Sequence, residues 1–223
     1  MKINLTNYQE LINNEKGFIE LIERTKRDYR PLDPGLYLYN LLMNKSQEDI
    51  FSDEYLELVY TTLIAWNMNG RAAKLADINK FKGSIRKNRK EIESMVNMRL
   101  EKLTENELKK VIAILQKLFN DLELVKTNSP LVTFSKTMHF LLPNLIVPID
   151  RRYTITFFYG LRGIPEKGKQ FAVFEEIFTK FWELSKKYDL SRYVDKVWNR
   201  NIPKIMDNAI IGFKIKNKAI TSA

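Results

Sequence analysis

The sequence predicts an all-α fold, and three observations lead there. Helix breakers are few, with 8 glycines and 7 prolines among 223 residues. Between them, apolar residues recur at three- and four-residue spacing, the period of an amphipathic helix. Capping residues stand where those segments begin.

Taken in chain order, Tyr8, Leu11, Ile12, Ile19 and Ile22 place one helix over Asn7 to Tyr29, capped by Thr6 or Asn7. Pro31-Leu32-Asp33-Pro34 is a turn, and Pro34 opens a helix to about Asn44 because proline suits the first helical position. Ser52 with Asp53 and Glu54 supplies a cap and two acids at the positive end of the next helix, from Tyr55 to about Trp66. That helix is apolar on most sides and should be central; Asn69-Gly70 ends it. A further helix is expected from Asp77 to about Met98. Thr104 to Glu107 has the capping-box pattern and opens a helix to about Asn120. Thr127 to Pro130 is a loop, Phe134 to Leu142 a helix, and Pro148 leads into a helix headed by Asp150. After a loop from Gly160 to Gly168, Phe171 to Tyr188 forms a long amphipathic helix. Ser191 caps a last helix through Trp198, and the β-branched tail from Ile210 reads as a short strand or a frayed end. There is no internal repeat. The chain reads as one helical domain, with a division into two lobes placed near 126–130.

Composition narrows the function. The chain has no cysteine, which removes disulfides, thiolate metal sites, iron–sulfur clusters and cysteine nucleophiles together. Met1 to Glu10 lacks the apolar stretch of a signal peptide, and no run approaches membrane-spanning length, so a cytoplasmic protein without membrane contact is expected. No phosphate loop, dinucleotide fingerprint, serine-hydrolase elbow or zinc-hydrolase helix is present. No metal-ligand spacing is visible either, and neither a metal nor a cofactor is expected.

The net charge of +10 makes a polyanion the natural partner, nucleic acid first. From Arg71 to Lys117, thirteen basic residues face six acidic ones, most of the excess. Arg71, Lys74, Arg86, Lys87, Arg89 and Lys90 are the candidate phosphate contacts in that stretch, joined by Arg151 and Arg152 further on. A solvated helix with Glu–Lys pairing explains any one of them equally well.

One segment has a sharper chemical meaning. Ser135-Lys136-Thr137 lies on a short helix, and Ile149-Asp150-Arg151-Arg152 follows a proline-containing connection and heads the next helix, which closes at Tyr159-Gly160-Leu161. This arrangement resembles the helix-hairpin-helix DNA glycosylase superfamily over about thirty residues, the scale of one supersecondary motif. The resemblance implies a two-lobed helical bundle around a groove, a DNA partner, and base-excision chemistry. Lys136 would be the amine that attacks the sugar and forms a Schiff base, and Asp150 its electrostatic partner. The amine would need a cationic neighbour or an apolar pocket to become nucleophilic. The target base would leave its stack for a pocket, with Trp66, Tyr60 and Tyr153 as candidate walls. The family's hairpin glycines are absent from the matching stretch, Leu131-Val132-Thr133-Phe134, which favours a second reading: nucleic-acid binding without catalysis. A third is a helical protein-interaction domain. His139, three positions after Lys136, can share its helix face, or can be a satisfied core histidine.

Overall fold

The computed structural model of the chain describes residues 3–29, 33–45, 49–68, 74–160, 163 and 165–221, without the side chains of 167 and 217–221. Among the described residues it is helical throughout, with no strand. A single antiparallel bridge, Leu75 to Val125, ties the segment before α5 to the one after α7.

The predicted first helix is two: α1 (Leu5–Asn13) and α2 (Glu15–Asp28). Asn14 is extended (φ −138°, ψ 90°), and its side chain accepts the Gly17 N–H to start α2 afresh. α1 is capped by Asn4, not by Thr6 or Asn7. α3 (Pro34–Asn44) begins as read, with Asp33 as its cap. α4 (Asp53–Ala65) is capped by Ser52 and buries Tyr55, Leu56, Val59, Thr62 and Leu63. It stops with Asn67 in the left-handed region (φ 62°); Asn69-Gly70 lies outside the described residues.

The helix expected from Asp77 to Met98 also breaks. α5 (Ile78–Lys87) and α6 (Arg89–Glu93) meet at Asn88, whose side chain donates to the Ser84 carbonyl and so competes with continued helix. α7 (Glu105–Asp121) carries the Thr104–Glu107 capping box as read. α8 (Leu131–Leu141) starts one turn earlier than expected and is buried at every residue. The Leu131–Phe134 stretch, aligned above with a hairpin loop, is therefore the first turn of the central helix. A wide π turn over Arg151–Ile155 leads into α9 (Thr156–Tyr159), which Gly160 ends at φ 70°. α10 (Gln170–Lys187) matches its prediction.

The C-terminal reading needs the largest correction. Ser191 opens only a short 3-10 turn through Tyr193, and α11 (Ile202–Thr221) replaces the expected short strand or frayed end. Ile202, Ile205, Met206, Ala209, Ile210 and Phe213 are buried along it at helical spacing. Asn201 caps this helix by accepting the Lys204 N–H at 2.8 Å. α11 lies against α2 closely enough that a Cβ on Gly212 would sit 2.0 Å from the Leu21 carbonyl oxygen. The Thr25 hydroxyl, 2.6 Å from the Asn208 carbonyl, ties the same two helices. One continuous core runs from Tyr8 to Phe213.

Candidate active site

α8 and the chain that follows it position the site. After α8 the chain turns and runs back alongside it. His139 Nδ1 meets the Ile146 carbonyl at 2.6 Å, and the Ile149 N–H donates to Ser135 Oγ at 3.0 Å. These bonds fasten the return stretch in antiparallel register, so Asp150 arrives beside Lys136. The distances close: five helical residues from Lys136 to Leu141 rise about 8 Å, and a few extended residues recover the same length.

Lys136 Nζ donates to Asp150 Oδ2 at 3.1 Å. The lysine side chain is only 6% exposed and the aspartate 29%, so the ammonium is the more deeply placed partner. Asp150 Oδ1 accepts the N–H groups of Arg152 and Tyr153, which starts the π turn. Its own N–H donates to Thr154 Oγ1. Burial pushes the Asp150 carboxyl upward, but the Lys136 ammonium and those two backbone donors outweigh it and hold the group below the usual aspartate value.

The pair opens on a pocket of about 1270 Å³. Trp66 and Tyr153 line it, as the sequence suggested. Tyr60 does not; its hydroxyl donates to the Ala76 carbonyl and its ring packs edge-on against Phe81. Tyr29 and Trp198 complete the aromatic lining, with Tyr29 edge-to-face against both Tyr153 and Trp198. Arg151 and Arg152 are exposed residues of the same pocket.

A second ion pair in this pocket went unread in the sequence. Lys204 Nζ and Asp207 Oδ2, one turn apart on α11, lie 2.5 Å from each other and both are buried. Lys136 and Lys204 each place an ammonium 5.3 Å from the centroid of the Trp66 ring, within cation–π reach. Asp207 differs from Asp150. Burial raises its carboxyl, Lys204 and Lys136 pull it down, Asp150 pushes it up, and the balance is a raised value.

His139 is a satisfied core residue and not a base. It is fully buried, and because Nδ1 faces a carbonyl oxygen, Nδ1 carries the proton. Nε2 then accepts from the Tyr39 hydroxyl at 2.9 Å, and Tyr39 in turn accepts from Asn201 at 3.2 Å. Burial lowers the imidazole to about 3, so it stays neutral. Among the described residues no group of three or more His, Asp or Glu side chains is arranged to hold a metal ion.

The remaining basic candidates are not gathered here. Arg86 binds the Phe51 carbonyl and Asp53, and Arg89 pairs with Glu93 over the Phe51 ring. Phe51 and Asp53 stand at the start of α4 and Trp66 just past its end, so about 20 Å of helix separates them from the pocket. Lys74, Lys87 and Lys90 are exposed, and Arg71 lies outside the described residues. None of the described helices is long and apolar enough to cross a membrane. No family model matches the chain, and no curated protein or solved structure does so either.

Proposed function

We propose that the protein binds DNA and takes one nucleotide, turned out of its stack, into the aromatic pocket, where the Lys136 amine adds to the sugar C1′. The reading follows the resemblance to the helix-hairpin-helix glycosylases. The observation that carries it is the Lys136–Asp150 pair at 3.1 Å, its lysine buried and its aspartate half-buried, opening on that pocket. Burying a charged lysine seldom gains stability over an apolar residue of the same volume, so its presence in a pocket wall points to use. Asp150 keeps the amine aimed and offers negative charge where the sugar develops positive charge. Trp66, Tyr29 and Tyr153 offer faces for a base, and Arg151 and Arg152 offer charge to the flanking phosphates.

The test is borohydride trapping on a duplex carrying an abasic deoxyribose, the aldehyde that an amine captures as an imine. A covalent protein–DNA adduct is expected for the wild type and none for Lys136→Ala. Absence of an adduct in both would refute the chemistry. Binding without catalysis is the second reading. It is favoured by the first turn of α8, where buried Leu131–Phe134 leaves no backbone nest for a phosphate. Its signature is salt-sensitive DNA binding with no adduct.

A further inference from the structure

Resting on that reading, we propose that Lys204 and Asp207 read the extruded base, and that the base they take is a lactam, a ring whose edge sets a carbonyl oxygen beside an N–H, as in uracil and hypoxanthine. The pair lines the same pocket as Lys136 and Asp150. It is the deeper of the two: Lys204 is 7% exposed and Asp207 5%, where the Asp150 side chain keeps 29%. Lys136 and Lys204 each hold an ammonium 5.3 Å from the centroid of one ring, Trp66, so the two nitrogens stand no further apart than twice that distance. With the sugar C1′ at Lys136, a base reaching inward lies beside Trp66 and turns its far edge to Lys204.

Neither member of the deeper pair is used up within the protein. Lys204 Nζ carries three N–H groups and gives one to Asp207 Oδ2 at 2.5 Å. Among the described residues the other two meet no acceptor, and Asp207 Oδ1 meets no donor. That oxygen is not sealed in the core, so it is open to the pocket. Both groups are held in place. Asn201 accepts the Lys204 backbone N–H at 2.8 Å and donates to the Tyr39 hydroxyl at 3.2 Å. The Lys204 ammonium lies over the Tyr39 ring as well as that of Trp66. Asn208, next along α11, donates to the Trp198 carbonyl and ties that aromatic wall to the same helix.

An ammonium next to a carboxylate offers a donor beside an acceptor. A phosphate would be repelled by the open Asp207 oxygen, so an anion does not match this pair. A base edge with one acceptor and one donor does. The edge is either the C=O and N–H of a lactam or the ring nitrogen and amine of adenine and cytosine. The lactam matches better, because Lys204 has two N–H groups left for an oxygen with two lone pairs, where a ring nitrogen has one.

The test is duplex affinity, measured by fluorescence anisotropy for the wild type and for Lys204→Met/Asp207→Leu. Each duplex carries one 2′-fluoro nucleotide, which resists loss of its base, opposite a tetrahydrofuran abasic analogue, so that no base pair is at stake. The bases are uracil, N3-methyluracil and cytosine, and a fourth duplex has tetrahydrofuran in place of the base. The wild type should bind uracil about 30-fold more tightly than N3-methyluracil, the worth of one hydrogen bond to a charged group, and about tenfold more tightly than cytosine. The double variant removes both charges and strands neither, so it keeps its fold. Its affinities for the three bases should agree within about threefold. Equal binding of uracil and cytosine by the wild type, or a preference that survives in the double variant, overturns the base reading alone while Lys136-dependent trapping on an abasic duplex stands. A uracil preference with no adduct keeps the base reading and refutes the amine chemistry. No adduct, with uracil bound no better than the base-free duplex, overturns both proposals.

Discussion

Replacing Asp150 by Asn should cost far more stability than replacing its partner Lys136 by Met. Asn keeps the cap, since its side-chain oxygen accepts from Arg152 and Tyr153 as the carboxylate does. What is lost is the counter-charge of an ammonium only 6% exposed. Stranding such a charge costs about 3–5 kcal/mol. Lys136→Met instead strands a carboxylate that is 29% exposed and still holds two backbone donors. That loss is about 1–2 kcal/mol. Removing both charges returns most of the deficit, so the double-mutant cycle should give a coupling of about 3 kcal/mol. Urea unfolding at pH 7 measures all four proteins. A pH series supplies the sign. Asp150's carboxyl is depressed in the fold, so its contribution is complete above the unfolded value near 3.8 and is lost as pH falls through the lower folded value. Asp150→Asn should remove that acid loss. Equal, additive costs below about 1 kcal/mol for both single variants would mean the pair is solvated like a surface ion pair, and the geometry argued for the site would be wrong.

Three further outcomes follow from other parts of the molecule. His139, the one histidine in the chain, should show no NMR titration between pH 5 and 8, because its imidazole is held near 3. The unfolded chain takes up that proton first, so from pH 6.5 to 4 the group should cost about 3 kcal/mol of stability, at 1.36 kcal/mol per pH unit; a histidine titrating near 6.5 in the folded protein would contradict this. Gly212→Ala forces α11 away from the Leu21 carbonyl and should cost about 3 kcal/mol in thermal or urea unfolding, at the upper end of overpacking effects, whereas a neutral result would deny the close approach of α2 and α11. Arg151→Ala and Arg152→Ala should each weaken duplex binding at low salt and flatten the log affinity–log salt slope by about one. Unchanged slopes would move the DNA contact to the Arg86–Lys90 surface at the other end of α4.

The sequence spoke most clearly where a single local signal dominates. Asp33-Pro34, Ser52-Asp53-Glu54 and the Thr104–Glu107 box each set a helix start that the structure keeps. It misled where a side chain interrupts an apolar period that otherwise continues: Asn14 and Asn88 split two apparent helices by engaging nearby backbone. The tail misled for the opposite reason. Ile210, Ile211, Phe213 and Ile215 alternate like a strand, but the buried set from Ile202 to Phe213 keeps helical spacing, and packing against α2 decides between the periods. That error hid half of the candidate site. Lys136 and Asp150 were legible because they lie fourteen positions apart on one hairpin of chain. Lys204 and Asp207 reach the same pocket from a distant helix, and no local spacing announces such a meeting. The signal was the pair itself: Lys and Asp at helical i,i+3 spacing on the face next to Ile205 and Met206.

The most direct measurement is peptide mapping of the borohydride-reduced protein–DNA adduct by mass spectrometry, since two buried lysines share the pocket. The modification should fall on Lys136. Its appearance on Lys204, or on a surface lysine such as Lys87 or Lys90, would contradict the assignment of Lys136 as the amine that attacks the sugar.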